Sequence, residues 1–320
     1  MANSGSDRSA SKLHVSDALH ALRRSHRWLR AACTRRVLRL LPLMLVIGGL
    51  FAGGIALAFV QSVGFFPASN EHRFTLAHYR NFLSDPEFRD ALLLTIGIAS
   101  LSTLISAVTG FALALSLRRI TQRSRIFNVL VQVPIAVPHL VVALLLLDVI
   151  APGGLISRMA YAAGIIKVPS EFPVLVNDRY GIGIVIAYAL KEAPFVAVMV
   201  LAVLVRLGDE YDAMARTLGA SAWQRLRYIT VPMVAPALIS SALVVFAFIC
   251  GAFEIPLLLG RQYPAMLPVV AQRKFMNIDL ATRPDAIAVG LVIACIAALL
   301  AAVYLRFARV IVGTERPVIF

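Results

Sequence analysis

Lys191, Glu192 and Glu254 stand inside runs of apolar sequence. An unpaired charge is costly there, and an ionisable residue by default marks a transport pathway or a buried pair. Helical rise puts Lys191 about 24 Å from Leu207, and Glu254 about 27 Å from Pro236, so both fall in the outer third of a bilayer. Adjacent residues on a helix diverge, so Glu254 rather than Glu192 is the expected partner of Lys191, with Pro194 bending the chain beside them. All three are candidate pathway residues. A structural ion pair, or side chains reaching for the outer boundary, is the competing reading. His139, flanked by Pro134 and Pro138, reads as a hydrogen-bonded packing residue, and Asp148 near the end of the same run is left undecided.

Other chemistry finds no residues to perform it. The lysines are Lys12, Lys167, Lys191 and Lys274, and none follows a glycine, so no phosphate-cradling loop ending Gly-Lys-Ser/Thr is present. Cys33, Cys250 and Cys295 lie at or inside apolar runs without metal-ligand spacing and read as packing residues. No Ser/His/Asp, paired-carboxylate or metal constellation stands outside the apolar runs. No catalytic residue, metal or cofactor is expected, and the chain is not expected to be an enzyme.

The elements that must position these residues are membrane spans. The chain has 320 residues, 59% hydrophobic and 15% charged. Crossing a hydrocarbon core takes roughly 20 helical residues. Six segments qualify: Leu40 to Val60, Ala91 to Leu117, Phe127 to Ile150, Gly181 to Leu207, Pro236 to Leu259 and Ala286 to Leu305. Stretches such as Val142 to Leu147 are apolar on every side, which argues against the alternating strands of a barrel. The expected fold class is an all-α polytopic membrane protein with six transmembrane helices in one domain, residues 37–310. The formal net charge of +14 could suggest nucleic acid, but most of the basic residues fall at the ends of runs on one side. Positive-inside placement then makes both termini cytoplasmic, and the partner is the lipid bilayer, with no nucleic acid. Residues 1–36 read as a basic cytoplasmic tail in which Leu19, Leu22, His26 and Leu29 could form one face of an interfacial helix. Residues 311–320 are a short cytoplasmic tail. The first apolar run follows a long basic stretch and reads as a retained anchor rather than a cleaved signal.

One cytoplasmic loop, 208–235, is unusual. Asp209 or Asp212 can cap a helix running through Leu218. Gly219 then takes the left-handed conformation that ends it, and Ser221 caps a second short helix, AWQRLRYIT. On that helix Ala222, Leu226 and Ile229 share a face, and Val231-Pro232 is expected to close it.

This stretch resembles the Glu-Ala-Ala loop of permease subunits of binding-protein-dependent ABC importers. Ala213-Met214-Ala215, three residues, Gly219, nine residues, Ile229, Thr230 and Val231-Pro232 keep the family's spacing, with Ala213, Met214 and Val231 replacing glutamate, alanine and leucine. TIGIASLSTLISAVTGFALALSLRR and GAFEIPLLLG look like other family segments, so the resemblance covers roughly residues 75 to 310. It implies the type I importer permease fold in a bacterial inner membrane. It also implies cytoplasmic ATPase partners that bind ATP and Mg, a second permease subunit (copy or paralogue) and an outer substrate-binding protein. Ala215, Arg216, Leu218, Gly219, Ala220, Ile229 and Pro232 become the ATPase-coupling residues. Among substrates, the look is that of permeases for polyamines, thiamine, ferric iron, phosphonates or related small polar solutes, with a lean to spermidine/putrescine-like systems. A secondary transporter or channel working without an ATPase is the alternative, disfavoured because no inverted repeat is visible.

Overall fold

The structure is a computed structural model that describes residues 41–66, 71–121, 132–208 and 210–312. The basic tail with its expected interfacial helix, Asp209, residues 122–131 and residues 313–320 of the C-terminal tail lie outside the described residues. The chain divides into two units, Met1–Ala58 and Phe59–Phe320. Helix α1 (Leu41–Ser62) makes up the described part of the first unit and ends in the second; none of its most apolar window is buried.

Six helical stretches among the described residues are long and apolar enough to cross a membrane, and the third of them runs from His139 to Ala162 rather than from Phe127 to Ile150. After α1 comes a small antiparallel hairpin, β1 (Phe65–Phe66) with β2 (Glu71–His72). Then follow α2 (Ala77–Leu83), α3 (Pro86–Thr121), a single turn α4 (132–136), α5 (His139–Ile150), α6 (Leu155–Ala162) and α7 (Ile182–Leu207). The remaining helices are α8 (Glu210–Thr217), α9 (Ala222–Arg225), α10 (Val231–Gly251), α11 (Glu254–Leu259), α12 (Leu267–Phe275) and α13 (Arg283–Val312).

Helix α7 is the central post: 67% of its apolar window is buried, against 22–33% for the other spans of the second unit. It packs along α3. The contact face of α3 is a stripe of small residues at helical spacing, Ala99, Ser102, Ser106, Gly110 and Ala114, all buried. Small residues let two backbones approach closely, which is how helices gain contact where lipid is as apolar as leucine. At Gly110 an added Cβ would lie 2.7 Å from the Ala193 carbonyl oxygen and 2.7 Å from Val196 Cβ.

Two of the expected spans are not continuous. The third breaks at Val137 and Pro138, between α4 and α5. Proline disfavours helical geometry at the residue before it and has no N–H to continue the ladder. The fifth breaks at Ala252, whose backbone is extended (φ −81°, ψ 134°). There the ring of Pro256 would collide with the Ala252 carbonyl of a straight helix. The two breaks are neighbours, since α11 packs on α5.

At its other end the fifth span differs again from expectation. Val231-Pro232 does not close the second loop helix: α9 runs through a π-helical turn, Leu226–Thr230, directly into α10. The wider turn leaves room for the Pro232 ring and does not need its missing N–H. The connection between the last two spans is also more ordered than a simple loop. Its α12 buries Leu267, Pro268, Val269 and Val270, and the Leu267 amide donates to Thr95 Oγ1 of α3 at 2.9 Å.

Gly110→Ala should push α3 and α7 apart by tenths of an ångström and cost about 1–3 kcal/mol as an overpacked core does. Gly97 on the same helix has open space around it. Thermal unfolding in detergent should show a lowered midpoint for Gly110→Ala and an unchanged or raised one for Gly97→Ala.

Candidate functional site

The loop between α7 and α10 is built by local sequence chemistry. Helix α8 ends in a left-handed Gly219 (φ +78°). The Ala220 amide donates back to the Ala215 carbonyl at 3.0 Å, and that of Gly219 to Arg216 at 2.9 Å, the paired bonds of a Schellman ending. Ser221 then opens α9 with a capping box: Gln224 N–H donates to Ser221 Oγ (3.3 Å) and Ser221 N–H to Gln224 Oε1 (2.7 Å). A helix, a tight turn and a helix result, as the spacing predicts.

Asp212 has a different part from the expected cap. It lies inside α8, and its carboxylate accepts from Arg216 Nη2 and Arg225 Nε, each at 2.7 Å. Arg225 also donates through Nη1 to the Ala220 carbonyl at 2.7 Å. One carboxylate and one guanidinium thus tie α8, the turn and α9 together. Burial opposes ionisation of Asp212, but hydrogen bonds from Arg225 and Arg216, with their charges, outweigh it and hold the carboxyl below its usual range. At the loop's entry Arg118 of α3 donates to the Gly208 carbonyl.

The carried-over loop residues divide by burial. Ala215 is buried, Ala220 and Ile229 are half-buried, and Arg216, Leu218, Gly219 and Pro232 are exposed. Around Leu218, itself 87% exposed, lie large apolar side chains outside the carried-over set: Tyr211, Met214, Trp223 and Tyr228 are 52–70% exposed. The signal was available, because Met214 and Leu218 are four apart on one face of a helix otherwise read for its charges.

Inside the membrane the structure overturns the pairing of Lys191 with Glu254. Lys191 is 5% exposed, and its Nζ donates to the backbone carbonyls of Pro134 (2.9 Å) and Ile135 (3.0 Å). The carbonyls left open by the break in span three outcompete a carboxylate on another helix. Glu192, also buried, accepts from His139 Nε2 at 2.8 Å, so His139 is hydrogen-bonded as expected, and its ring lies 4.6 Å from that of Phe248. Glu254 opens α11, is half-buried and makes no hydrogen bond or ion pair among the described residues. Tyr188, fully buried one turn before Lys191 and Glu192, has no hydrogen-bond partner for its hydroxyl among the described residues. Lys191 and Glu192 therefore meet at one place, the break of span three, and Glu254 does not join them.

This architecture is that of an ABC importer permease. The chain is 20% identical to, and superposes with a TM-score of 0.67 on, a chain of a bacterial alginate ABC transporter solved with a periplasmic protein holding an alginate pentasaccharide, covering 90% of this chain and 96% of that one. Residues 106–314 match the binding-protein-dependent transport system inner membrane component family, and the chain belongs to it. It is a multi-pass inner-membrane protein. Its relatives include the molybdenum transport permease ModB of Azotobacter vinelandii, 27% identical over 59% of this chain and 80% of that one. The sulfate transport permease CysT of Escherichia coli is 27% identical over 74% and 84%. The trehalose transport permease SugA of Mycobacterium tuberculosis is 30% identical over 52% and 53%.

The Asp212 clamp generates a test with a worked sign. A carboxylate whose pKa is depressed on folding stabilises above its unfolded pKa and loses that contribution as pH falls through the folded value, so the clamp should hold at neutral pH and loosen only below about pH 4. Asp212→Asn should raise amide exchange across 212–225 several-fold at pH 7, with the wild type matching it, after correction for intrinsic rates, only in acid.

Proposed function

We propose that this chain couples the import of a small solute to ATP hydrolysis by a separate cytoplasmic subunit, which grips the loop between α7 and α10. The observation that carries this reading is the exposed apolar set Met214, Leu218, Trp223 and Tyr228 on a rigid, capped helix–turn–helix. A loop that only joined two spans would gain nothing by holding such side chains in water; clustered exposed apolar surface marks a binding face. Arg216, Leu218 and Gly219 are the contact residues in this reading, while Ala215, Ala220 and Ile229 support them from behind. ATP and its Mg are held by the partner, a second permease subunit completes the pathway, and an outer binding protein delivers the solute. The loop and both termini face the cytoplasm. For the solute, the two relatives matched over most of their own length carry molybdenum and sulfate, which supports a small oxyanion in place of the polyamine suggested by sequence resemblance.

The test is co-purification with co-expressed ABC ATPases of the same cell, followed by ATP turnover in lipid. Wild type should capture the ATPase; Gly219→Asp and Trp223→Glu should lose capture or cut stimulated turnover at least roughly tenfold, the scale of hot-spot loss at an interface. If wild type captures no ATPase and uptake is instead abolished by ionophores, the ion-coupled alternative holds. Competition of radiolabelled sulfate uptake by molybdate, but not by putrescine, checks the solute class.

A further inference from the structure

We propose that Lys191 and Glu192 are a positioning pair that holds span three broken at Val137 and Pro138, and that they act on this break rather than on the transported solute. In a continuous helix the Pro134 carbonyl would accept from the amide of residue 138, and the Ile135 carbonyl from that of residue 139. Pro138 has no amide hydrogen, and the extended Pro138 backbone (φ −59°, ψ 144°) turns the next residue away. Two carbonyls are thereby stranded at membrane depth, where no water satisfies them. The ammonium of Lys191 reaches both, at 2.9 and 3.0 Å, in place of the two absent N–H donors.

Glu192 acts on the other side of the same break. Its carboxylate holds His139, the first residue of α5, at 2.8 Å. A cation thus meets the carbonyl end of α4, and an anion is held beside the amide end of α5, each at the helix end whose partial charge it complements. Two adjacent ionisable residues on α7 are explained together: one straddles each half of a neighbouring broken helix, and α7 is the most buried post in the bundle. With both anchored to the post, the angle of α5 is fixed, and so is the seat of α11, which packs on it.

This inference concerns the membrane interior and does not depend on the ATPase reading. The full-length protein in lipid nanodiscs is compared by hydrogen exchange over residues 135–142. Lys191→Met should raise exchange there by roughly tenfold, as local opening does, whereas Lys191→Arg, whose fork can donate to two carbonyls, should stay within about threefold of wild type. Equal exchange in wild type and Lys191→Met, or an Arg variant as fast as Met, overturns the proposal. If Lys191→Met is not recovered in membranes, Glu192→Leu against Glu192→Gln makes the same comparison, and equal exchange in those two overturns it. In assembled complexes Lys191→Met should still capture the ATPase, because it sits about 24 Å along α7 from the loop. Stimulated turnover should fall in Met and return in Arg, so loss of capture in wild type would fault the ATPase reading while leaving the exchange result to judge this one.

Discussion

Backbone carbonyls freed inside a bilayer must find donors, and the second unit of this protein is arranged around that requirement. A straight helix satisfies itself; a helix interrupted by Pro138 does not. A buried lysine offsets its own desolvation where its ammonium meets two carbonyls that would otherwise go without donors. That balance explains why a lysine sits 5% exposed on the most enclosed helix of the bundle. It also explains why its carboxylate neighbour reaches sideways to His139 instead of forming an ion pair with it.

The same balance accounts for the close packing of α3 on α7. A post that anchors a broken neighbour must itself be fixed, and α7 is fixed by a stripe of small residues that brings another backbone against it. Tyr188 shows how tightly: its ring is fully buried and the carbonyl of the same residue accepts from Ser106 of α3 at 3.5 Å. Precision at the break thus comes from packing two helices away.

Much of this was legible in the sequence, and the failures share one cause. The six spans followed from apolar run length, and the Gly219 turn and Ser221 cap followed from residue chemistry that acts within a few positions. The spacing of Ala215, Gly219 and Ile229 carried the family. What was not legible depended on a partner far away in the chain. Hydropathy is blind to Pro138 and Pro256, so spans three and five read as unbroken. Charge complementarity in the sequence pairs Lys191 with Glu254, whereas its acceptors are uncharged carbonyls 56 and 57 positions away. Local sequence makes Asp212 a cap, because Arg225, 13 residues on, comes near only after Gly219 folds the chain back.

The π-helical continuity between loop and span gives the two regions a mechanical relation. From Ala222 to Gly251 the chain is one helical rod of 30 residues, about 45 Å long at ordinary helical rise, and it ends at the break before Glu254. Its near end is clamped to α8 through Arg225 and Asp212; its far end joins α11, which rests on α5. The π turn carries the helix through Pro232 without a break in the backbone between the loop and α10. The first interruption of that rod after the loop is at Ala252, where the backbone is extended, next to the other broken span. The separate second helix expected from sequence would have ended before the membrane; the continuous rod instead links the loop to the place where two interrupted helices meet.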